Sequence, residues 1–407
     1  MKVLIADTFE ASGVEGLKAA GCEVIYAPGT SGDDLVRLLR SSGAEVLVVR
    51  STRVTEAMLT AGTLSLVVRA GAGVNTIDVA AAARNGIYVA NCPGKNAIAV
   101  AELAFALLLA LDRRVPDNVA ALRAGRWNKR EFSKARGLYG RTLGLLGFGG
   151  VAQEVARRAR AFGMDVVVWS PRFQREGANA LAALPRDLDV IVLQSPEEVA
   201  ERSDALSLHL ALTDETRNFV GSGILARLKP GAFFVNTARA ELVDDAALAE
   251  AVRTQGLHVA TDVFRDEPAS GSAEFSPAIA SLPDLYGTHH IGASTEQAQE
   301  AIAAETVRII RSYKEMGTVP NAVNLAARTP ATHRLVVRHR DRPGVLAHIF
   351  DQLRRRNLNV QETENVVFAG AESAVARINV DGQPDAELLR AIESGSRDIL
   401  GVQVVKI

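Results

Sequence analysis

Three short strings in the second half of the chain carry side chains that do chemistry together: Asn236-Thr-Ala-Arg239, Asp262-Val-Phe-Arg-Asp-Glu-Pro268 and His289-His290-Ile-Gly292. A guanidinium forks onto a carboxylate and polarises the carbonyl beside it. A carboxylate next to an imidazole favours the imidazolium. Such a pair hands a proton to a carbonyl oxygen and takes one back in the reverse direction. Arg239, Glu267 and His290 are therefore the candidate catalytic residues, suited to reducing a keto acid or oxidising the matching hydroxy acid. Each has a plainer reading alone. An Arg at a strand end is commonly a surface ion pair, a Glu before Pro commonly serves its own loop, and a His before Ile-Gly is commonly structural. The conjunction, downstream of a nucleotide-type turn, favours catalysis.

That turn is Leu143-Gly-Leu-Leu-Gly-Phe-Gly-Gly-Val-Ala152, running from a strand into a helix expected over 153–162. Gly147, Gly149 and Ala152 fill the G-x-G-x-x-[GA] places. The first glycine permits the tight turn, the second lets backbone approach a pyrophosphate, and the small third residue lets helix pack on strand. An Asp or Glu usually follows the next strand to hold the ribose hydroxyls. Here Ser170-Pro171-Arg172 stands there, with Arg175 nearby. Ser170 does not repel a ribose phosphate and Arg172 can pair with one, so NADP is open. Ser170 can equally hydrogen-bond a plain ribose, so NAD is open too. Asp262, at the end of a later strand, is placed to receive a nicotinamide carboxamide.

These residues need strand ends to hold them. From residue 2 to about 96, short β-branched runs alternate with helical patterns, and a second such set runs from 142 to 262. That alternation predicts parallel sheets covered by helices, in two lobes with a cleft between them. A helix is expected from 294 to about 316, capped by Ser294 with Gln297 and stopped by Gly317. The last 75 or so residues read as a βαββαβ unit, with a turn at Asp341-Arg-Pro-Gly344 opening its first helix. The 407 residues are too many for one core. With 48% hydrophobic and 23% charged residues the chain is globular in composition. A net charge of −1 supplies no field for nucleic acid. The longest apolar run, 97–111, falls short of a membrane span. Two cysteines, Cys22 and Cys92, suit a reducing cytosol, the opening residues read as a strand, and a cytoplasmic location is expected. No metal is called for.

With these residues in view, the chain resembles the D-isomer-specific 2-hydroxyacid dehydrogenases, and within them the phosphoglycerate dehydrogenases that carry a C-terminal ACT domain. Arg69-Ala-Gly-Ala-Gly-Val-Asn-Thr-Ile-Asp78 resembles the loop whose amides hold the substrate carboxylate. Asn91-Cys-Pro-Gly-Lys-Asn96 resembles the entry to the first interdomain helix, and His209-Leu-Ala-Leu-Thr213 a loop over the cofactor. The resemblance implies an α/β, two-lobed fold: a flavodoxin-like substrate-binding domain (1–98 and 288–325), a Rossmann nucleotide-binding domain (99–287), a linker (326–332) and a ferredoxin-like ACT domain (333–407). It implies cofactor contacts at Gly147, Gly149, Gly150, Val151, Ser170, Arg172, Thr213, Ala238, Asp262 and Gly292. Substrate contacts fall at Arg50, Arg69, Ala72, Gly73 and Asn96, with Lys129 reaching in from a neighbouring subunit; Arg53 and Lys129 can equally be ordinary surface charge.

The implied reaction is NAD(P)-dependent oxidation of 3-phospho-D-glycerate to 3-phosphohydroxypyruvate, at the start of L-serine synthesis, by a homodimer or homotetramer. An amino-acid effector such as serine would sit at His339, Asp341 and Asn359, though Asp341 can instead cap its helix and the ACT sheet can serve only to pair subunits. The alternatives are an NADPH-dependent glyoxylate or hydroxypyruvate reductase and a non-catalytic nucleotide-sensing protein. The sequence departs from the family pattern at Ala240-Glu241 (usually Gly-Gly), at His289 (usually Pro), at Ser170 (usually Asp), and in a longer segment from Arg172 to about Glu197.

Overall fold

The computed structural model describes residues 1–182, 184–185, 187–268, 272–283 and 285–407. The chain divides into two compact units, Met1–Asn324 and Leu325–Ile407.

The first unit holds two parallel sheets. One contains β1 (Lys2–Ile5), β2 (Glu23–Tyr26), β3 (Val46–Val49), β4 (Leu66–Arg69) and β5 (Tyr88–Asn91) in the order β2-β1-β3-β4-β5. The other contains β6 (Thr142–Leu146), β7 (Asp165–Trp169), β8 (Ile191–Val192), β9 (Ala205–Leu208), β10 (Phe233–Asn236), β11 (His258–Thr261) and β12 (Leu285–Gly287), ordered β12-β11-β10-β9-β6-β7-β8. β3, β9 and β10 are buried along their whole length, as parallel strands covered on both faces must be. Strand order reverses beside β1 in the first sheet and beside β6 in the second. Such switch points open a crevice at the carboxyl ends of the strands, where α/β ligands bind.

The Ala97–Arg113 helix packs on the second sheet through Ala101, Leu108 and their neighbours. The later Glu296–Met316 helix returns to the first, with Ile302, Ile309 and Ile310 in a core shared with Val3, Ile5 and Val48. Its cap is Thr295, whose hydroxyl accepts the Ala298 N–H at 3.2 Å, rather than Ser294. Gly317 ends it at φ 68°. Beyond it Asn324 doubles as a strand partner. Its side chain accepts from Val89 N–H and donates to the Ile87 carbonyl, at 2.9 and 2.8 Å. The three-residue β12 lacked a run long enough to be expected. The segment expected to be long, 172–197, falls partly outside the described residues; its described part includes the Pro171–Glu176 helix and β8. Among the described residues no helix is long and apolar enough to cross a membrane.

The second unit is a βαββαβ arrangement. Its strands are β13 (His333–Arg340), β14 (Val360–Val367), β15 (Ser373–Val380) and β16 (Ile399–Lys406), antiparallel in the order β14-β15-β13-β16. The Val345–Arg355 and Ala386–Ser394 helices cover one face, burying Ile349, Leu353, Leu388 and Ile392 against Leu335, Val337 and Ile378. Asp341 does not cap the first of these helices; Gly344 stands at the cap with no side-chain bond.

Of the proposed effector residues, His339 and Asp341 lie at one end of the sheet and Asn359 at the other. His339 pairs in register with Ala374, whereas Asn359 adjoins Val360, which pairs with Val380 at the other end of β15. At about 3.3 Å per residue that separates them by roughly 20 Å. His339 is also buried and occupied, with Nδ1 2.8 Å from the Arg340 carbonyl and Nε2 3.0 Å from the Asn365 side chain.

Candidate active site

Arg239 leaves the end of β10 through a turn held by Asn236, whose side chain donates to the Arg239 carbonyl at 2.9 Å and accepts the Ala238 N–H at 3.0 Å. The Arg239 guanidinium donates from Nη1 to the Ala238 carbonyl at 2.6 Å. Its Nη2 rests against Gly73, where any Cβ would collide with it. Glycine at 73 therefore lets the guanidinium and the 71–75 loop share one space.

His290 Nδ1 lies 2.6 Å from Glu267 Oε2, and Glu267 Oε1 accepts the Phe264 N–H at 2.8 Å. Burial is the largest influence on the Glu267 carboxyl and pushes it up. The hydrogen bonds from His290 and Phe264, with the charges of His290 and Arg239, outweigh it and leave the group below its ordinary value. Glu267 is thus a carboxylate at neutral pH. With Nδ1 held by that carboxylate, His290 keeps Nε2 for a substrate.

The backbone of His290 is at φ 52°, a left-handed conformation costly for a side-chain-bearing residue. Asp262 holds it there. Its buried carboxylate accepts from Thr288 Oγ1 at 2.6 Å, Ile291 N at 2.8 Å and Gly292 N at 2.8 Å, bracketing His290 on both sides. Asp262 was expected to serve a nicotinamide carboxamide; most of its acceptor capacity goes to this loop.

At the switch point of the first sheet, Asp7 follows β1 and accepts the backbone N–H groups of Arg50, Ser51 and Thr52 at 2.5–3.0 Å. It fixes the loop that presents Arg50. Arg69 closes β4, and its Nε is buried with no hydrogen-bond partner among the described residues. Burial first, then the neighbouring charges of Arg239 and Arg50, push the Arg69 guanidinium down to about 10. The charges of Arg239 and Arg50 thus both act on Arg69, and none of the three forms an ion pair with a carboxylate among the described residues.

The nucleotide turn has the expected form. Gly147, at φ 95°, takes its N–H to the Trp169 carbonyl, and a Cβ there would meet the His209 carbonyl oxygen at 2.5 Å. A Cβ on Gly149 would meet nothing within 4 Å, leaving room for a diphosphate. The helix begins at Gly150, so its first amides face that space. Two buried polar atoms on the adjoining cleft wall, His209 Nδ1 and Thr237 Oγ1, have no hydrogen-bond partner among the described residues. Burial pushes the His209 imidazole down to about 3, so it is neutral. These features fit a bound dinucleotide.

The cleft of about 590 Å³ is lined by Arg69, Ala72, Gly73, Asn96, Val151, Ala238, Arg239, Asp262, His290 and Gly292. Glu267 stands behind His290. Thr213 lies in an exposed turn closed by Thr216, whose hydroxyl accepts its N–H at 2.7 Å. Ser170 accepts the Arg172 N–H at 3.4 Å as a helix cap, and Arg172 pairs with Glu176 at 2.9 Å. Lys129 opens a short helix, Lys129–Phe132, beside a different groove and away from this chain's cleft.

Residues 105–292 match the family described as D-isomer specific 2-hydroxyacid dehydrogenase, NAD binding domain. A hydroxypyruvate reductase of Thermotoga maritima is 40% identical over 291 residues, covering 70% of this chain and 88% of that protein. The chain belongs to this dehydrogenase family. The D-3-phosphoglycerate dehydrogenase of Methanocaldococcus jannaschii is 36% identical over 328 residues, 80% of this chain but 60% of that protein. The match thus spans about three fifths of the phosphoglycerate dehydrogenases it resembles. Among solved structures, the TT0316 protein from Thermus thermophilus is 33% identical with a TM-score of 0.68, covering 79% of this chain and all of that one. The NAD+-bound 3-phosphoglycerate dehydrogenase of Entamoeba histolytica is 27% identical with a TM-score of 0.65, covering 80% and 99%.

Within this family site, sequence reasoning did not single out Asp7, the clamp formed by Asp262, or the unpartnered atoms of His209 and Thr237. Asp7 carried a usable signal, since it closely follows β1, as Arg50 follows β3 and Arg239 follows β10. The other roles depend on which hydrogen bonds form, and spacing does not encode that.

Proposed function

We propose that the chain oxidises 3-phospho-D-glycerate to 3-phosphohydroxypyruvate with NAD, the entry reaction of L-serine synthesis. The observation that carries this reading is the pair Arg69 and Arg239 in the cleft wall, with Arg50 outside that wall but near enough for its charge to act on Arg69, all three without a carboxylate partner among the described residues. A 2-hydroxy acid alone needs one guanidinium for its carboxylate, and a phosphorylated one needs more. Arg239 holds the carboxylate and the oxygen on C2, while Arg50 and Arg69 take the phosphate. NAD held along the Gly147–Gly150 turn would supply the acceptor for the hydride that leaves C2. His290 removes the hydroxyl proton through Nε2, and Glu267 holds the resulting imidazolium through Nδ1. The products are the keto acid, NADH and one proton.

NAD rather than NADP is proposed because Arg172 is engaged by Glu176, whose carboxylate would repel a ribose phosphate. The C-terminal unit is proposed to be an ACT domain on its βαββαβ order, in a homo-oligomer. Because His339 and Asn359 lie at opposite ends of one sheet, an effector touching both would need two copies of the unit. A second reading, reduction of hydroxypyruvate or glyoxylate, is favoured by the 40% identity to a hydroxypyruvate reductase.

The deciding experiment is the initial rate with 3-phosphohydroxypyruvate and with hydroxypyruvate, each with NADH and NADPH. The proposal expects higher kcat/KM for the phosphorylated substrate with NADH, lost selectively on Arg50→Ala. Equal or better turnover of hydroxypyruvate, unaffected by Arg50→Ala, would replace it with the second reading.

A further inference from the structure

The strands that end at the catalytic cleft begin at a second cavity, of about 360 Å³. Arg141 directly precedes β6, Phe233 opens β10 and His258 opens β11, and all three line it. These strands run four or five residues from one end to the other, so roughly 15 Å separates this cavity from the cleft. The other charged residues of the wall are Asp112, Arg113 and Arg114 at the end of the Ala97–Arg113 helix, and Glu131, Lys134 and Arg136.

Arg141 is 6% exposed, and its guanidinium lies over the Phe233 ring, 4.3 Å from the centroid. Nη2 donates to the Asp204 carbonyl at 3.1 Å. Nε and Nη1 are buried with no hydrogen-bond partner among the described residues, and the Asp112 carboxylate reaches only ion-pair distance, 3.6 Å from Nη1. Burial pulls this guanidinium below its ordinary value, and Arg136 adds repulsion. A charged donor left in this state is costly unless something accepts from it.

The remaining cations at the wall divide in two. Arg114 is held by Asp117 and Glu131, and Lys134 by Glu131. Arg113 and Arg136 are exposed and form no ion pair among the described residues. Positive charge therefore exceeds negative charge around a half-enclosed space of small-molecule size, with an aromatic floor beneath it.

We propose that this cavity binds a small oxyanion, a phosphate or a carboxylate, between Arg141 at its floor and Arg113 and Arg136 at its mouth. The Arg141 guanidinium, short of acceptors, lines this space, and the oxygens of such a group would supply them. The site shares its strands with the catalytic cleft but none of its lining residues, so it is distinct from any phosphate subsite at Arg50 and Arg69.

The test follows hydrogen exchange of the full chain in peptides covering 131–141 while inorganic phosphate is titrated in. Exchange in these peptides is expected to slow. The Arg113→Ala/Arg136→Ala double variant should need at least tenfold more phosphate for the same protection, and the Lys/Lys double variant should recover part of it. Arg69→Ala, which weakens only the catalytic cluster, should leave this protection unchanged. Repeating the titration with succinate separates the two anion classes, since the tighter one protects at lower concentration. Absence of protection by both anions, or equal protection in the Ala/Ala double variant, would overturn the proposal. Protection that disappears with Arg69→Ala would also overturn it, by assigning the bound phosphate to the catalytic cleft.

Discussion

In the seven-stranded sheet all strands run the same way, so every carboxyl end lies along one edge. In the four-stranded C-terminal sheet neighbours alternate, so residues that follow β13 and residues that precede the parallel β14 lie at opposite edges. The first geometry collects side chains from far apart in sequence: Gly147 after β6, Arg239 after β10, Asp262 after β11. The second separates His339 from Asn359, only twenty positions away. A parallel sheet turns "follows a strand" into a position in space, whereas an antiparallel sheet demands knowledge of pairing first.

The most severe way to break this edge is to remove the proposed proton carrier. His290→Asn should lower kcat by about 10²–10⁴-fold, the usual worth of a positioned general base, in steady-state rates with either keto acid. A loss under tenfold would mean that His290 is not the proton carrier. Gly73→Ala tests how closely the two lobes must meet. The new methyl displaces the far end of the Arg239 side chain rather than backbone. kcat/KM should fall by about 10²-fold, while the thermal midpoint stays nearly unchanged. A comparable drop in midpoint would instead assign Gly73 a folding role.

His209 probes the same edge by pH. Its folded value of about 3 lies below the ordinary value of 6.5, so between these the unfolded chain binds a proton that the folded chain refuses. Stability present above pH 6.5 is lost as pH falls, by at most about 1.4 kcal/mol per pH unit. His209→Asn should flatten this acid limb in denaturant midpoints measured from pH 7 to 4; an unchanged limb would rule it out as the source.

The smallest effects belong to the antiparallel unit. His339→Ala removes a buried, doubly bonded imidazole and should cost about 1–3 kcal/mol. Asn359→Ala, at an exposed position, should change stability by less than about 0.5 kcal/mol. Equal costs would mean that the two residues do not occupy the different environments, one buried and bonded and one exposed, that this sheet gives them.

The same contrast explains what could be seen in advance. The strand–glycine–helix string at 143–152 and the strand endings at Arg239 and Asp262 follow from local pattern, and the parallel sheet converts them into neighbours. The βαββαβ order was equally legible, because each element announces itself within about ten residues. The duty of Asp262 was not. A carboxylate at a strand end suits a carboxamide as well as it suits three local donors, and only the left-handed backbone at His290 shows which use prevails. Nor was the pairing of Arg172 with Glu176, since a side chain four residues along a helix competes silently with any ligand.

Asn324 ends the first unit by imitating a strand. With the Val323 N–H on the Val89 carbonyl and Asn321 on the Asn91 carbonyl, it stitches the departing chain along β5. Tension on the chain beyond Leu325 is thus shared among several bonds lying side by side instead of opening them one after another. The tether is a shear joint, and β5, whose outgoing segment leads to Asn96 at the cleft wall, is the member that bears the load.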